Sequence, residues 1–350
     1  MKKKIAIIGY GGMGGWHVNK ILDSDVVECV GIYDIKETRR ELARERNLFV
    51  YNSLDDVLND TNVELITIAT PNDTHADIAI KAMQAGKHVI CEKPVCLNSE
   101  ELQKIYQVSN ETNVLFTVHQ NRRWDADYLL MKELYDAGKL GHVFRIESRY
   151  HGSRGIPGDW RAQKQHGGGM MFDWGVHLID QVLCMTAGLK VDKVYCQCDY
   201  ITNKEVDDGF KLDITFENGL TARIEVGTNH FISLPRFYML GMQGAAKVNG
   251  WNSDCEVVIC DQWKEENVTP VITNAGLTKT MAPRDAKTTT ELIMKKGTSD
   301  VHDFYRNFCA AIDGKDAQLI THEQVMRVMR LMEAALYSDF IGLPVDFKDN

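Results

Sequence analysis

The sequence predicts an α/β chain in two parts: a doubly wound parallel sheet at the N-terminus, then an α+β domain on an open, mostly antiparallel sheet. Three observations lead there. Short apolar runs alternate with helical stretches of about ten to fifteen residues through the first part, the pattern of βαβ units. After Asn121, strand-like segments follow one another without intervening helices. A chain of 350 residues exceeds one ordinary domain and suits two, divided here as 1–121 and 122–350.

In the first part, Lys4–Ile8 is a β-branched run suited to a strand buried on both faces. A helix over Met13–Leu22, a strand at Val26–Tyr33 and a third at Val63–Ala69 come next. His75–Ala85 reads as a helix closed by Gly86 in a left-handed cap. Val89–Cys91 is a strand, Ser99 caps a helix running to Thr112, and Val114–Val118 is the last strand. In the second part, Gly138 closes a helix over Ala126–Ala137, and Val143–Tyr150 alternates as a strand. A glycine-rich loop then leads to a helix at Met171–Met185. Strands follow at Val191–Ile201, Phe210–Phe216, Thr221–Val226, Arg236–Met242 and Glu256–Ile259, with Glu217-Asn218-Gly219 as a hairpin turn. The polar stretch 265–296 reads as a surface excursion. Helices over Asp300–Ile312 and Thr321–Phe340 end the chain, the second with capping-box spacing from Thr321 to Gln324.

Composition narrows the function. Apolar residues make up 44% and charged residues 25%, enough for a large core. A net charge of −9 argues against a nucleic-acid partner, which would require a basic stripe against phosphates. No run approaches the roughly eighteen apolar residues of a membrane span, and the chain enters its first strand without a cleavable signal, so cytoplasm is expected and a membrane partner is not. The nine cysteines sit in apolar runs or alternate on a strand, with no paired CxxC framework. They read as small hydrophobes of a reducing compartment, and no metal is expected.

Gly9-Tyr10-Gly11-Gly12-Met13-Gly14 has GxGxxG spacing between the first strand and first helix. Gly9 allows the tight turn, Gly11 lets the backbone approach a pyrophosphate at the helix N-terminus, and Gly14 permits close helix–strand packing. Asp34 ends the second strand, where a carboxylate accepts from ribose hydroxyls and repels a 2′-phosphate. This is a Rossmann dinucleotide site favouring NAD, with NADP left open by Lys36, Arg39 and Arg40. Thr70, Pro71, Asn72 and His75, and then Glu92 and Lys93, fall at C-terminal strand ends, where ligands bind in an open parallel sheet. From spacing alone, Lys93 reads equally as a surface charge. Asp173, His177 and Asp180 at i, i+4 and i+7 share one helix face. A solvated face, a satisfied core histidine, a pair of metal ligands and catalytic use all compete there, and the metal reading lacks a supporting cysteine or HxxxH partner.

In order along the chain, the glycine fingerprint with Asp34, Thr70–His75, Glu92-Lys93-Pro94, Asn121-Arg122-Arg123-Trp124, Asp159-Trp160-Arg161, the triple glycine at 167–169 and Asp173-x-Gly175-x-His177 resemble the Gfo/Idh/MocA family. The resemblance implies an NAD(P)-dependent oxidoreductase acting on a hydroxyl of a sugar, cyclitol or glycoside. Lys93, Asp173 and His177 would be its catalytic group, and Trp160 and Arg161 would touch the cofactor. It further implies a cis Lys93–Pro94 bond and a homodimer or homotetramer formed through the open sheet. Arg122, Tyr150, His151, Arg154 and His166 are polar or aromatic candidates for the substrate, beside Asp173 and His177. Two other uses of such a chain stay open: glycoside cleavage through transient oxidation, and a silent nucleotide-binding sensor.

Overall fold

The computed structural model describes residues 1–262 and 268–349, and its first lobe is built on a parallel sheet. Strands β1 (Lys3–Ile8), β2 (Val27–Tyr33), β3 (Leu65–Ile68), β4 (His88–Cys91) and β5 (Phe116–Val118) stand in the order β2-β1-β3-β4-β5. Ile5, Ala6, Ile7, Leu65, Ile66, Val89 and Ile90 are fully buried, as continuous apolar strands covered on both faces require. Around them lie α1 (Gly12–Leu22), α2 (Glu37–Glu45), α3 (Leu54–Asn59), α4 (His75–Gln84) and α5 (Ser99–Thr112). The order reverses between β1 and β3, so a crevice opens at their C-terminal ends. Glycine is obligatory there. Gly9 has φ +90°, and a Cβ at Gly14 would stand 1.9 Å from the Gly9 carbonyl oxygen.

Three details depart from the sequence reading. Helix α2 buries only Ala43 and carries charges nearly all round, and α3 is six residues long, so neither shows an apolar period. Asn98, rather than Ser99, caps α5, its side chain accepting from the Glu101 N–H at 2.9 Å.

The second lobe carries α6 (Ala126–Asp136), β6 (Val143–His151), α7 (Val176–Met185), β7 (Val191–Asp199), β8 (Gly209–Phe216), β9 (Thr221–Gly227), β10 (Phe237–Gly241), β11 (Gly244–Val248) and β12 (Cys255–Cys260). The hairpin β13 (Val271–Thr273) and β14 (Gly276–Thr278) precedes β15 (Thr289–Met294), α8 (His302–Ile312), α9 (His322–Ile341) and β16 (Val345–Asp346). Among the described residues the sheet has nine strands, β15-β12-β11-β10-β6-β9-β8-β7-β16, antiparallel throughout except for the parallel pair β6·β9. Strand β11, Gly-Ala-Ala-Lys-Val, escaped the sequence reading because small residues carry almost no β signal. The expected surface excursion is corrected in part. Thr289–Met294 is an edge strand paired with β12, the 271–278 hairpin is largely exposed, and 265–267 lie outside the described residues.

Helices α6, α7 and α9 pack on one face of this sheet. The last helices also brace the first lobe. Tyr305 of α8 reaches His17 of α1, and Ser99 donates from N–H and hydroxyl to Glu333 of α9 at 2.6 and 2.8 Å. No helix among the described residues is long and apolar enough to cross a membrane.

Candidate active site

Strand β4 delivers Lys93 to the crevice through Glu92-Lys93-Pro94, whose Lys93–Pro94 bond is cis. Opposite it, Met171–Gly175 forms a single π-helical turn before α7, an irregularity common at functional sites. The two lobes meet at this point. Lys93 Nζ donates to the Asp173 main-chain oxygen at 2.8 Å and to Oδ1 at 3.0 Å, while Arg161 Nε donates to Oδ2 at 3.1 Å. Burial alone would raise the Asp173 carboxyl, but Lys93 and Arg161 outweigh it and hold the group below the ordinary aspartate value. Arg161 is fixed in turn by Asp159 at 2.8 Å and lies over the Trp160 ring.

His177 is buried at 4% exposure, and its Nδ1 has no hydrogen-bond partner among the described residues. Burial first, then the positive charges of Lys93 and Arg122, hold its pKa well below the ordinary histidine value. The ring is therefore neutral near pH 7 and able to receive a proton. Asp180 does not join this group. Its carboxylate takes a two-pronged contact from Arg123 at 2.8 and 2.6 Å. Asp207 supports the turn from below, accepting from the Met171 N–H at 2.8 Å, and burial pushes its carboxyl up to about 7.

On the dinucleotide side, Asp34 Oδ2 accepts from the Tyr10 N–H at 2.7 Å and Oδ1 from the Lys36 N–H at 2.8 Å, anchoring the glycine loop to the end of β2. A Cβ at Gly11 or Gly12 would meet nothing within 4 Å, so the start of α1 offers bare backbone to a ligand, and the residues present fit a dinucleotide. Arg40 is committed to Glu37 and to the Asp34 carbonyl, which leaves Lys36 and Arg39 as the nearer cations for a 2′-phosphate. Asn72 ties its loop to the Gly167 carbonyl at 3.1 Å, and Thr70 is bonded to Thr74. Two expected cofactor residues turn inward. His75 is fully buried, its ring nitrogens 3.0 and 2.9 Å from the Pro94 and Thr70 carbonyl oxygens, so it joins the two crevice loops instead of facing a ligand. Glu92 is buried beneath Lys93, its Oε1 receiving His17 and His119 at 2.8 Å each.

The substrate candidates divide. Tyr150 and Arg122 each lie against Trp174 and Trp251, with Arg122 near enough to His177 to act on its charge; His166 is paired with Asp73 at 3.0 Å, and Arg154 is exposed. His151 stacks on His230, both near Glu225. The site also contains side chains the sequence did not single out. Arg236 crosses the Tyr150 ring at 4.0 Å and donates to Ser148 and Gln181 at 2.6 and 2.7 Å. Trp251 packs on Tyr150 at 4.3 Å with the Arg122 guanidinium 4.4 Å from its ring. A tryptophan inside the turn-forming stretch Asn249-Gly250-Trp251-Asn252 was the available signal.

Two His–Glu–His groups bear on the expectation of no metal. Each gathers ligand-capable atoms within 4.8 Å. His17, Glu92 and His119 stand at hydrogen-bond separations of 2.8 Å. The His151 and His230 rings are parallel within 9° and 4.2 Å apart, so one ion cannot lie in both ring planes.

A switch-point crevice with a glycine cradle, facing a Lys–Asp–Arg cluster and a neutral imidazole, defines a two-lobed nucleotide-dependent oxidoreductase. Residues 3–120 match the family model described as an oxidoreductase family with an NAD-binding Rossmann fold, and residues 128–247 match the GFO/IDH/MocA C-terminal domain. The chain belongs to the Gfo/Idh/MocA oxidoreductase family. An NAD-binding protein from Listeria innocua is 43% identical, with a TM-score of 0.93 over 99% of each chain. The scyllo-inositol 2-dehydrogenase (NADP(+)) IolW of Bacillus subtilis is 28% identical over 340 residues, 96% of this chain and 93% of that protein. An uncharacterized oxidoreductase of Schizosaccharomyces pombe is 37% identical over 176 residues, so this chain matches under half of that relative's length, 46%, and 47% of its own.

Proposed function

We propose that this oxidoreductase oxidises a secondary hydroxyl of a cyclitol, sugar or glycoside, or reduces the corresponding ketone, with NAD preferred to NADP. The carrying observation is the convergence of Lys93 from the first lobe with Asp173 and His177 from the second. The bound nicotinamide would accept or return the hydride. Gly9, Gly11, Gly12, Met13 and Gly14 would hold the pyrophosphate at the start of α1, and Asp34 the ribose. His177, neutral and without a partner at Nδ1, would take the hydroxyl proton. Lys93 would donate to the same oxygen and stabilise charge developing there, its ammonium aimed by Asp173. Arg161 keeps Asp173 ionised, and Trp160 backs Arg161. Tyr150 and Arg122 would face the substrate.

The lobes would divide between residues 121 and 122. The chain would form a homodimer or homotetramer through the sheet face opposite α6, α7 and α9, where β6 and β9 align Arg145, Glu147 and Arg149 with Arg223 and Glu225. A cytoplasmic setting accords with nine free thiols. The test is a screen of cyclitols, hexoses, sugar acids and glycosides with NAD and NADP in parallel, following absorbance of the reduced nicotinamide. Accumulation with a ring polyol supports dehydrogenation. Aglycone release without net reduction would replace it with transient oxidation, and silence across the panel and the matching ketones would sink it.

A further inference from the structure

Beside the catalytic group lies an aromatic and cationic wall whose two indoles have no part in the proposed proton and hydride transfer. Tyr150, Trp174 and Trp251 form a triangle with ring centroids 4.3, 4.4 and 5.8 Å apart, and the Arg122 guanidinium lies 4.4 Å from Trp251 and 5.1 Å from Trp174. Trp174 is also 6.0 Å from the His177 ring. Three features coincide in this cluster. Its polar atoms are under-used: Tyr150 Oη, Arg122 Nε and His177 Nδ1 are buried without a partner among the described residues. Buried polar groups ordinarily find partners, so the concentration of these in one place points to a ligand that completes them. The outermost indole is not sealed in, since Trp251 remains 41% exposed while Tyr150 and Arg122 lie against it. Finally, Trp251 stands in the turn between β11 and β12, past residue 247, where the match to the family C-terminal domain ends.

We infer that Trp251 is a specificity-determining residue that selects compact polyhydroxylated six-membered rings, its indole packing on the C–H face of the ring. This rests on the functional reading above. A pyranose or cyclitol is the ligand type that matches such a wall. Its ring C–H groups form an apolar face for an indole, and its edge carries closely spaced hydroxyls that both donate and accept. Arg122 supplies donors, Tyr150 a hydroxyl and His177 a ring nitrogen for that edge. Open-chain polyols offer the same hydroxyls without a fixed apolar face, and binding them requires ordering several torsions.

The test measures binding separately from turnover. Wild type, Trp251→Ala and Trp251→Phe, each loaded with NADH, are titrated calorimetrically with scyllo-inositol, myo-inositol, D-glucose and methyl β-D-glucoside, with glycerol as the open-chain probe. For the ring that wild type binds best, Trp251→Ala should raise the Kd at least tenfold, Trp251→Phe should stay within threefold, and glycerol and NADH binding should not change. Where the ring is turned over, KM should rise tenfold with kcat within threefold. Ring binding that is equally tight in wild type and Trp251→Ala overturns the assignment, whatever the turnover. Wild type that binds none of the rings overturns it as well. Ring binding that depends on Trp251 without nicotinamide turnover upholds the assignment and overturns only the proposed reaction.

Discussion

Lys93→Ala tests the meeting of the two lobes. The substitution removes both Nζ hydrogen bonds, to the Asp173 carbonyl at 2.8 Å and to Oδ1 at 3.0 Å. Asp173 keeps Arg161 at 3.1 Å, so its buried carboxylate is not abandoned. The structural loss is that of one charge-assisted contact at a site about 15% exposed, about 1–3 kcal/mol. A chain of 350 residues shifts by less than the about 2–4 °C per kcal/mol typical of 150–250 residues, so the thermal midpoint drops by a few degrees and the protein stays folded at 25 °C. The chemical loss is larger. Removing a group that stabilises charge on the reacting oxygen should cost about 10²–10⁴-fold in kcat, or about 3–5 kcal/mol of barrier. The glycine cradle and Asp34 are untouched, so the NADH Kd from nucleotide fluorescence should stay within threefold. Single-turnover hydride transfer with the best substrate of the screen supplies the rate, and Lys93→Arg should recover only part of it because a planar fork replaces a compact ammonium. A Lys93→Ala rate within tenfold of wild type would refute the assignment of Lys93 to the reacting oxygen.

Buried titratable groups give pH predictions of opposite sign. The folded protein leaves His177 neutral where the unfolded chain titrates near 6.5, so the unfolded state binds more protons below that pH and stability falls as pH drops through 6.5. Urea midpoints between pH 5.5 and 7.5 should show this slope in wild type and a shallower one in His177→Asn. Asp207 acts the other way, because a folded pKa of about 7 against an ordinary 3.8 makes its contribution decline as pH rises between those values. Asp207→Asn should remove that decline while keeping an acceptor for the Met171 N–H, and an unchanged pH–stability curve would count against the buried-proton account. Asp34→Asn should lower kcat/KM for NAD about tenfold or more and leave NADP much less affected; equal losses for both would mean that Asp34 only anchors the Tyr10 loop. Thr321→Ala removes the N-cap of α9 and should cost about 1 kcal/mol in urea unfolding, with activity preserved.

Much of the fold was legible because its elements carry their own signals. The strand from Lys3 to Ile8, the glycine turn, the helix ended by Gly86 and the capping box at Thr321 each depend on residues within a few positions of one another. The omissions have a common cause too. Helix α2 has no apolar stripe, β11 carries only one branched residue, its closing Val248, and β15 sits at a sheet edge with its four central residues exposed. In all three the neighbour, and not the local pattern, holds the segment in place.

The site shows the same division more sharply. Asp173 and His177 could be grouped from helical spacing, but Lys93 lies 80 residues before Asp173, and only family resemblance joined them. Asp180 is the instructive case. Spacing put it on the face shared by Asp173 and His177, whereas a buried aspartate on a largely apolar helix requires a cation, and Arg123, 57 residues away, provides one. Sequence can state that such a group needs a partner; it cannot say which. His75 and Glu92 repeat the point, since both motifs were found while the inward turn of each side chain depends on Pro94, His17 and His119. Motif reading therefore locates the walls of the crevice, and the pairing of buried charges decides which motif residues remain free to meet a substrate.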